Sequence, residues 1–200
     1  MYTLTKEALT TRNLVKISVL GAIGMILMFF DLSVWFAPGF LKLDVSDLPG
    51  LLGAFAMGPM AGVLIQFLKN ILSLLIEGTA TGGVGELSNF FVGSVFCYVA
   101  GLIYYRKKTF KNAVLGLLVG VVTMTLAASL SNYFIVFPLY AKVMIPMDKI
   151  VAMGSKVNRH VVDFKTLILY SVVPFNILKG IVTSSITLLL YKKLSPILHS

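Results

Sequence analysis

Four small sets of polar side chains interrupt stretches of sequence that are otherwise almost wholly apolar. Lys69 and Asn70 share a helical face with Gln66 and Ser73; Glu86 and Asn89 stand three residues apart; Asn132 lies in "SLSNYF"; Asn176 and Lys179, again three apart, lie in "PFNILKG". At membrane depth an ionisable group costs several kcal/mol unless it is paired or faces a water-filled cavity, so each set is a candidate site. These residue types favour recognition over reaction: Asn presents donors and acceptors, and Lys presents three donors. The competing reading is structural. Asn70 and Asn89 would tie helices together, at about 0.6 kcal/mol each, and Lys69 would pair with Glu77 or Glu86. Lys179 resists that reading, because it sits near the middle of the last apolar run and needs a partner or a cavity. Pro174, one turn earlier, leaves a backbone carbonyl free nearby.

Reaction chemistry is absent from the pattern. The glycine-rich "TATGGVGELSNFFVG", Thr79 to Gly93, opens a helix but lacks the Lys-Ser/Thr that completes a phosphate loop. The two histidines, His160 and His199, fall in a loop and at the end of the chain, so no paired-His metal site is expected. There is no Gly-x-Ser-x-Gly nucleophile elbow, and the carboxylates are too scattered for an acid/base pair in the membrane. Neither a catalytic residue, a metal nor a cofactor is expected. Cys97, the single cysteine, forms no disulfide framework and reads as a buried small side chain.

The elements that position these residues are apolar helices. The 200 residues are 58% apolar and 12% charged, a composition that excludes an ordinary soluble domain. Basic residues hug the apolar ends: Lys6, Arg12 and Lys16 before the first run, Arg106 to Lys111 in one short loop, Lys192 and Lys193 after the last. That placement makes the net charge of +9 a topology signal rather than a nucleic-acid footprint. Clear spans are expected at 14–30, 87–105, 113–140 and 166–191. The stretch 48–77 would be roughly 45 Å long as one helix, and Gly58-Pro59 reads as a break into pieces at 48–57 and 60–77. The resulting fold is all-α and integral to the lipid bilayer: one domain over 1–200, with six transmembrane helices and a short second one. Six spans also place the basic ends together, with both termini cytoplasmic. Outside the helices, "LKLDVSD" alternates at period two, Leu41, Leu43 and Val45 against Lys42, Asp44 and Ser46, and reads as extended. The segment 141–165 is expected as a long outer loop. Its excess of basic residues runs against the positive-inside rule, so it is either translocated despite its charge or attracts an anionic ligand or lipid head group.

With these pieces in view, the chain resembles the substrate-binding S components of energy-coupling factor (ECF) transporters, of the riboflavin-specific type. "SDLPGLLGAFAMGP…KN" and "TGGVGELSNF" carry the resemblance most specifically, supported by the Asn on the fifth helix and "NILKG" on the sixth. The resemblance implies a vitamin-binding subunit, multi-pass in a prokaryotic plasma membrane. It docks on a membrane scaffold, EcfT, that carries two ATPase subunits. It also implies that Asn132, Asn176 and Lys179 hold the flavin ring system, and that the segment with Leu41, Leu43 and Asp44 forms a lid. Glu86 and Asn89 match a family motif, as ligand contacts or as braces of the fold. The family's small-residue docking surface on the first helix has its nearest match in Ser18 and Ala22, with Gly21 beside them.

The physics is compatible. An isoalloxazine is a flat aromatic with a polar edge, suited to apolar walls and a few fixed donors and acceptors. A ribityl chain suits the polar rim at the turn of Gly82, Gly83 and Gly85, although a plain connecting turn explains those glycines equally well. Flavin mononucleotide is a possible further ligand, given the basic 141–165 segment. An S component for another vitamin, and a small membrane enzyme, are the alternatives; the enzyme would need a constellation at membrane depth that the sequence lacks.

Overall fold

Hydropathy and two kinds of helix breaker determine the architecture. The computed structural model describes residues 10–79 and 81–198, with side chains through Tyr191; Lys6, His199 and the side chains of Lys192 and Lys193 lie outside the described residues. Helix α1 spans Thr11–Met28 and is followed by two short strands, β1 Leu32–Ser33 and β2 Lys42–Leu43. Helices α2 Leu48–Met57 and α3 Pro59–Ile76 come next, then α4 Val84–Arg106. Helix α5 Phe110–Ser131 passes through a π-helical turn, Asn132–Val136, into α6 Phe137–Val143. Helix α7 is Met147–Val157, and α8 Phe164–Leu167 passes through a second π-turn, Ile168–Val172, into α9 Val173–Leu198.

Five of these helical runs are long and apolar enough to cross a membrane, with α2 a shorter apolar helix beside them. The expected break is present. Gly58 has φ +99°, a conformation that only glycine adopts without strain, and Pro59 then starts α3 with its fixed φ and no donor to waste.

The bundle turns its most apolar faces outward. Leu118, Val122, Leu126 and Leu130 form an exposed stripe at every fourth residue of α5, as do Val15, Val19 and Ile23 on α1. Lipid is as apolar as leucine, so burial alone does not drive these helices together and close packing must. Small residues supply it. A Cβ on Gly116 would meet the carbonyl oxygen of Ala100 at 2.6 Å, and one on Gly180 would meet Val121 at 2.7 Å. At one end of the bundle Phe55 stacks on Tyr104 with ring centroids 4.3 Å apart, and the Tyr104 and Tyr191 hydroxyls lie 3.1 Å apart.

Two sequence expectations need revision. The segment 141–165 is not all loop, since α7 occupies Met147–Val157. Ile150 and Gly154, one turn apart, are buried with Leu167 and Phe137 beneath them, a short apolar stripe that the five basic residues of the segment mask. Gly21 does not face outward with Ser18 and Ala22. It is buried against α3, where a Cβ would meet Leu68 at 2.9 Å, while Ser18 and Ala22 are exposed.

Candidate functional site

The site begins with a hairpin that turns polar residues inward. Leu32 pairs with Leu43 and Ser33 with Lys42, antiparallel, and Lys42 reaches Asp31 at 2.8 Å. Beyond β2 the chain enters the bundle. Asp44, Ser46 and Asp47 are buried, whereas Leu41, Leu43 and Val45 are only partly so. From Asp44 onward the period-two alternation has its polar side toward the protein, the reverse of a soluble strand, while Lys42 stays exposed.

Two lysines explain the inversion. Lys69 Nζ on α3 donates to Asp47 Oδ1 at 2.7 Å and to Ser46 Oγ at 3.0 Å. Lys179 Nζ on α9 donates to Asp44 Oδ2 at 3.0 Å and stands 3.5 Å from Asp47 Oδ2. Gln66 Nε2 adds a bond to Asp47 Oδ1 at 3.0 Å. Two aspartates and two lysines form a neutral chain, Asp44–Lys179–Asp47–Lys69, which is how four charges can be buried together. Burial opposes ionisation of Asp44 and Asp47, but the Lys179 and Lys69 ammonium groups outweigh it and hold both carboxyls below the usual range. Lys69 thus pairs with Asp47, not with Glu77 or Glu86. The expected shared face of Gln66, Lys69, Asn70 and Ser73 is buried as a unit.

Beside this chain of charges lies a cavity of about 360 Å³, within the usual range for small-molecule sites. Met124, Val136, Phe137 and Phe175 are among its apolar walls, and Asn132, Asn176 and Lys179 line it together. The Nδ2 of Asn132 donates to the Ala128 carbonyl and that of Asn176 to the Val172 carbonyl, each at 2.8 Å. Those bonds fix both amides and leave each an Oδ1 and a second N–H for a ligand. Lys179 has three donors, of which the aspartates engage at most two. Both asparagines sit at π-turns, one opening Asn132–Val136 and the other one helical turn beyond Val172. Such turns widen a helix locally and occur often at functional sites. The carbonyl of Tyr170, which Pro174 cannot bond, accepts Asn158 Nδ2 at 3.2 Å.

The rim comes from the glycine-rich turn. Gly82 and Gly83 have φ of +61° and +87°, so the chain reverses there and starts α4. Gly85 is needed for another reason: a Cβ would meet Thr81 Oγ1 at 2.8 Å and the Tyr140 hydroxyl at 3.1 Å. Glu86 Oε2 accepts from Thr79 and Thr81, both at 3.1 Å.

Of the residues singled out from sequence, Leu41, Asp44, Glu86, Asn89, Asn132, Asn176 and Lys179 line this one cavity; Leu43 and Gly83 do not. Leu43 is spent on the hairpin and Gly83 on the turn. Sequence reasoning missed Asp47, Phe40, Glu77 and Tyr140. The signal for Asp47 was there: two lysines at membrane depth call for two carboxylates, and "DVSD" offers them beside an apolar helix start. Among the described residues no group of three His, Cys, Asp or Glu is placed to hold a metal ion.

Comparison with known proteins gives a consistent result. The family model "ECF transporter, substrate-specific component" matches residues 12–191. The riboflavin transporter RibU of Staphylococcus aureus (strain TCH60) is 36% identical over 184 residues, covering 92% of this chain and 90% of that protein. The riboflavin transporter FmnP of Bacillus subtilis (strain 168) is 30% identical, covering 92% and 93%. A solved S component of a bacterial ECF transporter superposes with a TM-score of 0.73 at 34% identity, covering 94% of this chain and 97% of that one.

Proposed function

The chain belongs to the substrate-specific components of ECF transporters, and on that premise we propose that it is a riboflavin-binding membrane subunit. It holds the vitamin in the cavity beneath the Leu41–Asp47 segment, for uptake that partner subunits drive. Membership of that family makes it a transport component and not an enzyme. The observation that carries the reading is that Asn132, Asn176 and Lys179 line one cavity together with the apolar side chains of Met124, Phe137 and Phe175. A flavin ring requires that pairing of flat apolar walls with a few fixed polar groups at one edge. Lys179 supplies a donor to a ring carbonyl, and the two asparagines supply donors and acceptors that are already oriented. Asn89 and Glu86, which line the same cavity, offer hydrogen-bonding partners for a polyol chain. Relatives named as riboflavin transporters support the choice of vitamin.

In this reading the short α2 counts as a span, making six, and both termini face the cytoplasm of a prokaryote. An even number puts the basic loop after Arg106 on the same side as Arg12 and Lys16, as the positive-inside rule favours. The energising partners are EcfT and two ATPase subunits, and the exposed Ser18 and Ala22 of α1 offer a small-residue surface for close helix approach.

Titrating riboflavin with the purified protein tests the ligand. Saturable quenching of flavin fluorescence near one site per chain is the expected result. Absence of quenching, together with saturable binding of a different vitamin, would replace riboflavin and leave the family assignment standing. Ala22→Trp tests the docking face. It should leave riboflavin binding intact and block uptake in cells that supply the partner subunits, whereas undiminished uptake would place docking elsewhere.

A further inference from the structure

Resting on the riboflavin reading above, we propose that Glu77 and Glu86 make the cavity select by charge, admitting the neutral vitamin and disfavouring its phosphate monoester. Five carboxylates line the cavity: Asp31, Asp44, Asp47, Glu77 and Glu86. Three have a cation of their own. Lys42 lies 2.8 Å from Asp31, Lys179 lies 3.0 Å from Asp44, and Lys69 lies 2.7 Å from Asp47.

Glu77 and Glu86 have none: among the described residues no Lys, Arg or His stands within ion-pair distance of either. Their partners are hydroxyls. Glu77 Oε1 accepts from Ser73 at 3.2 Å, and Glu86 Oε2 accepts from Thr79 and Thr81. Among the lining residues Glu77 is exposed and Glu86 half-buried, whereas Asp44, Asp47, Asn176 and Lys179 are buried, which puts the two glutamates on the solvent side of the others.

The consequence is an uncompensated negative rim. None of the basic residues of the 141–165 segment, Lys142, Lys149, Lys156, Arg159 or Lys165, lines the cavity, so that segment provides no counter-charge there. The ring-binding groups lie deeper, around Asn176 and Lys179, and a ribityl chain extending outward brings its terminal carbon toward the glutamates. A terminal hydroxyl there donates to a carboxylate oxygen. A terminal phosphate brings about −1.5 to −2 charge and acceptor oxygens only, so it meets repulsion and gains no hydrogen bond from either carboxylate. The lysines that would neutralise it are already engaged by Asp31, Asp44 and Asp47.

The test compares dissociation constants of riboflavin and flavin mononucleotide for the full chain in detergent. In the unaltered protein the mononucleotide should bind at least about ten-fold more weakly, the cost expected of an unpaired like charge at a site that gains nothing in return. In Glu77→Gln, Glu86→Gln and the double variant the ratio of the two constants should fall, most in the double variant. Salt gives a second readout that needs no variant. Raising it from about 0.02 M to about 0.5 M screens the rim, so the mononucleotide should bind more tightly and narrow the gap. A ratio near one, a ratio that the substitutions leave unchanged, or mononucleotide binding that weakens with salt would each overturn the proposal while riboflavin binding still stands. Failure of riboflavin itself to bind the unaltered protein would sink the reading underneath, and the proposal with it.

Discussion

Lys69 and Lys179 are both buried in seats of nearly identical chemistry, but only the second faces the cavity. Each is a lysine within an apolar helix, and each pairs with an aspartate of the same short segment. Lys69 is fully enclosed: its ammonium donates to Asp47 and Ser46, Gly24 packs against its methylenes, and it is absent from the cavity lining. Lys179 lines the cavity and keeps donor capacity to spare. The comparison shows that a charge at membrane depth does not by itself identify a ligand site. What matters is whether the protein satisfies all of that charge or leaves some of it facing a space of ligand size.

Substitutions that separate the two seats follow in order of size. Lys69→Met leaves Asp47, which is only 2% exposed, with a weakened set of partners, and removing one member of a buried pair typically costs about 3–5 kcal/mol. Thermal unfolding in detergent should show a greater loss of stability for it than for Lys179→Met, Asn132→Ala or Gly83→Ala. Lys179→Met should be the milder change for folding, because the cavity lets water reach Asp44, and the more damaging one for ligand. A loss of about 2–3 kcal/mol, the scale of a charge-assisted hydrogen bond, predicts riboflavin binding weaker by one to two orders of magnitude. If Lys179→Met destabilised the protein as much as Lys69→Met and left riboflavin affinity untouched, the distinction between the seats would collapse.

Asn132→Ala removes neutral hydrogen bonds only. At about 1–1.5 kcal/mol it should weaken binding roughly ten-fold with the protein still dispersed and folded. Gly83→Ala strains a residue at φ +87° away from the cavity wall, and should cost stability on the order of 1 kcal/mol with little change in affinity.

The helices were legible because lipid imposes a simple rule: long apolar runs with basic ends. Each expected span starts within about three residues of its sequence expectation, and Gly58-Pro59 marked its break through chemistry intrinsic to those two residues. The charge chain was not legible in the same way. Asp44 and Lys179 are separated by 135 positions, and nothing local in "LKLDVSD" says which side of the alternation turns inward. The usual rule puts Leu41 and Val45 inside; the lysines waiting in the bundle put Asp44 and Ser46 there instead. The π-turns at Asn132–Val136 and Ile168–Val172 did have a local signal: Pro138 and Pro174 each follow the turn by two residues and cannot donate to the carbonyl four positions back, Phe134 and Tyr170, which lies inside it. Gly21 shows the limit again: a small residue at the right spacing signals close approach without naming the neighbour, which is Leu68 of α3.

The central claim is that this chain holds riboflavin at the Lys179 seat. The most direct measurement is the absorbance spectrum of the protein purified from cells grown with riboflavin, alongside Lys179→Met and Lys69→Met prepared in the same way. The account predicts a yellow protein carrying about one flavin per chain, its fluorescence quenched until denaturation. It also predicts a folded but largely colourless Lys179→Met, and a Lys69→Met that loses yield before it loses colour per folded chain. A colourless unaltered protein that also fails to quench added riboflavin, or a Lys179→Met variant as yellow as its parent, would contradict it.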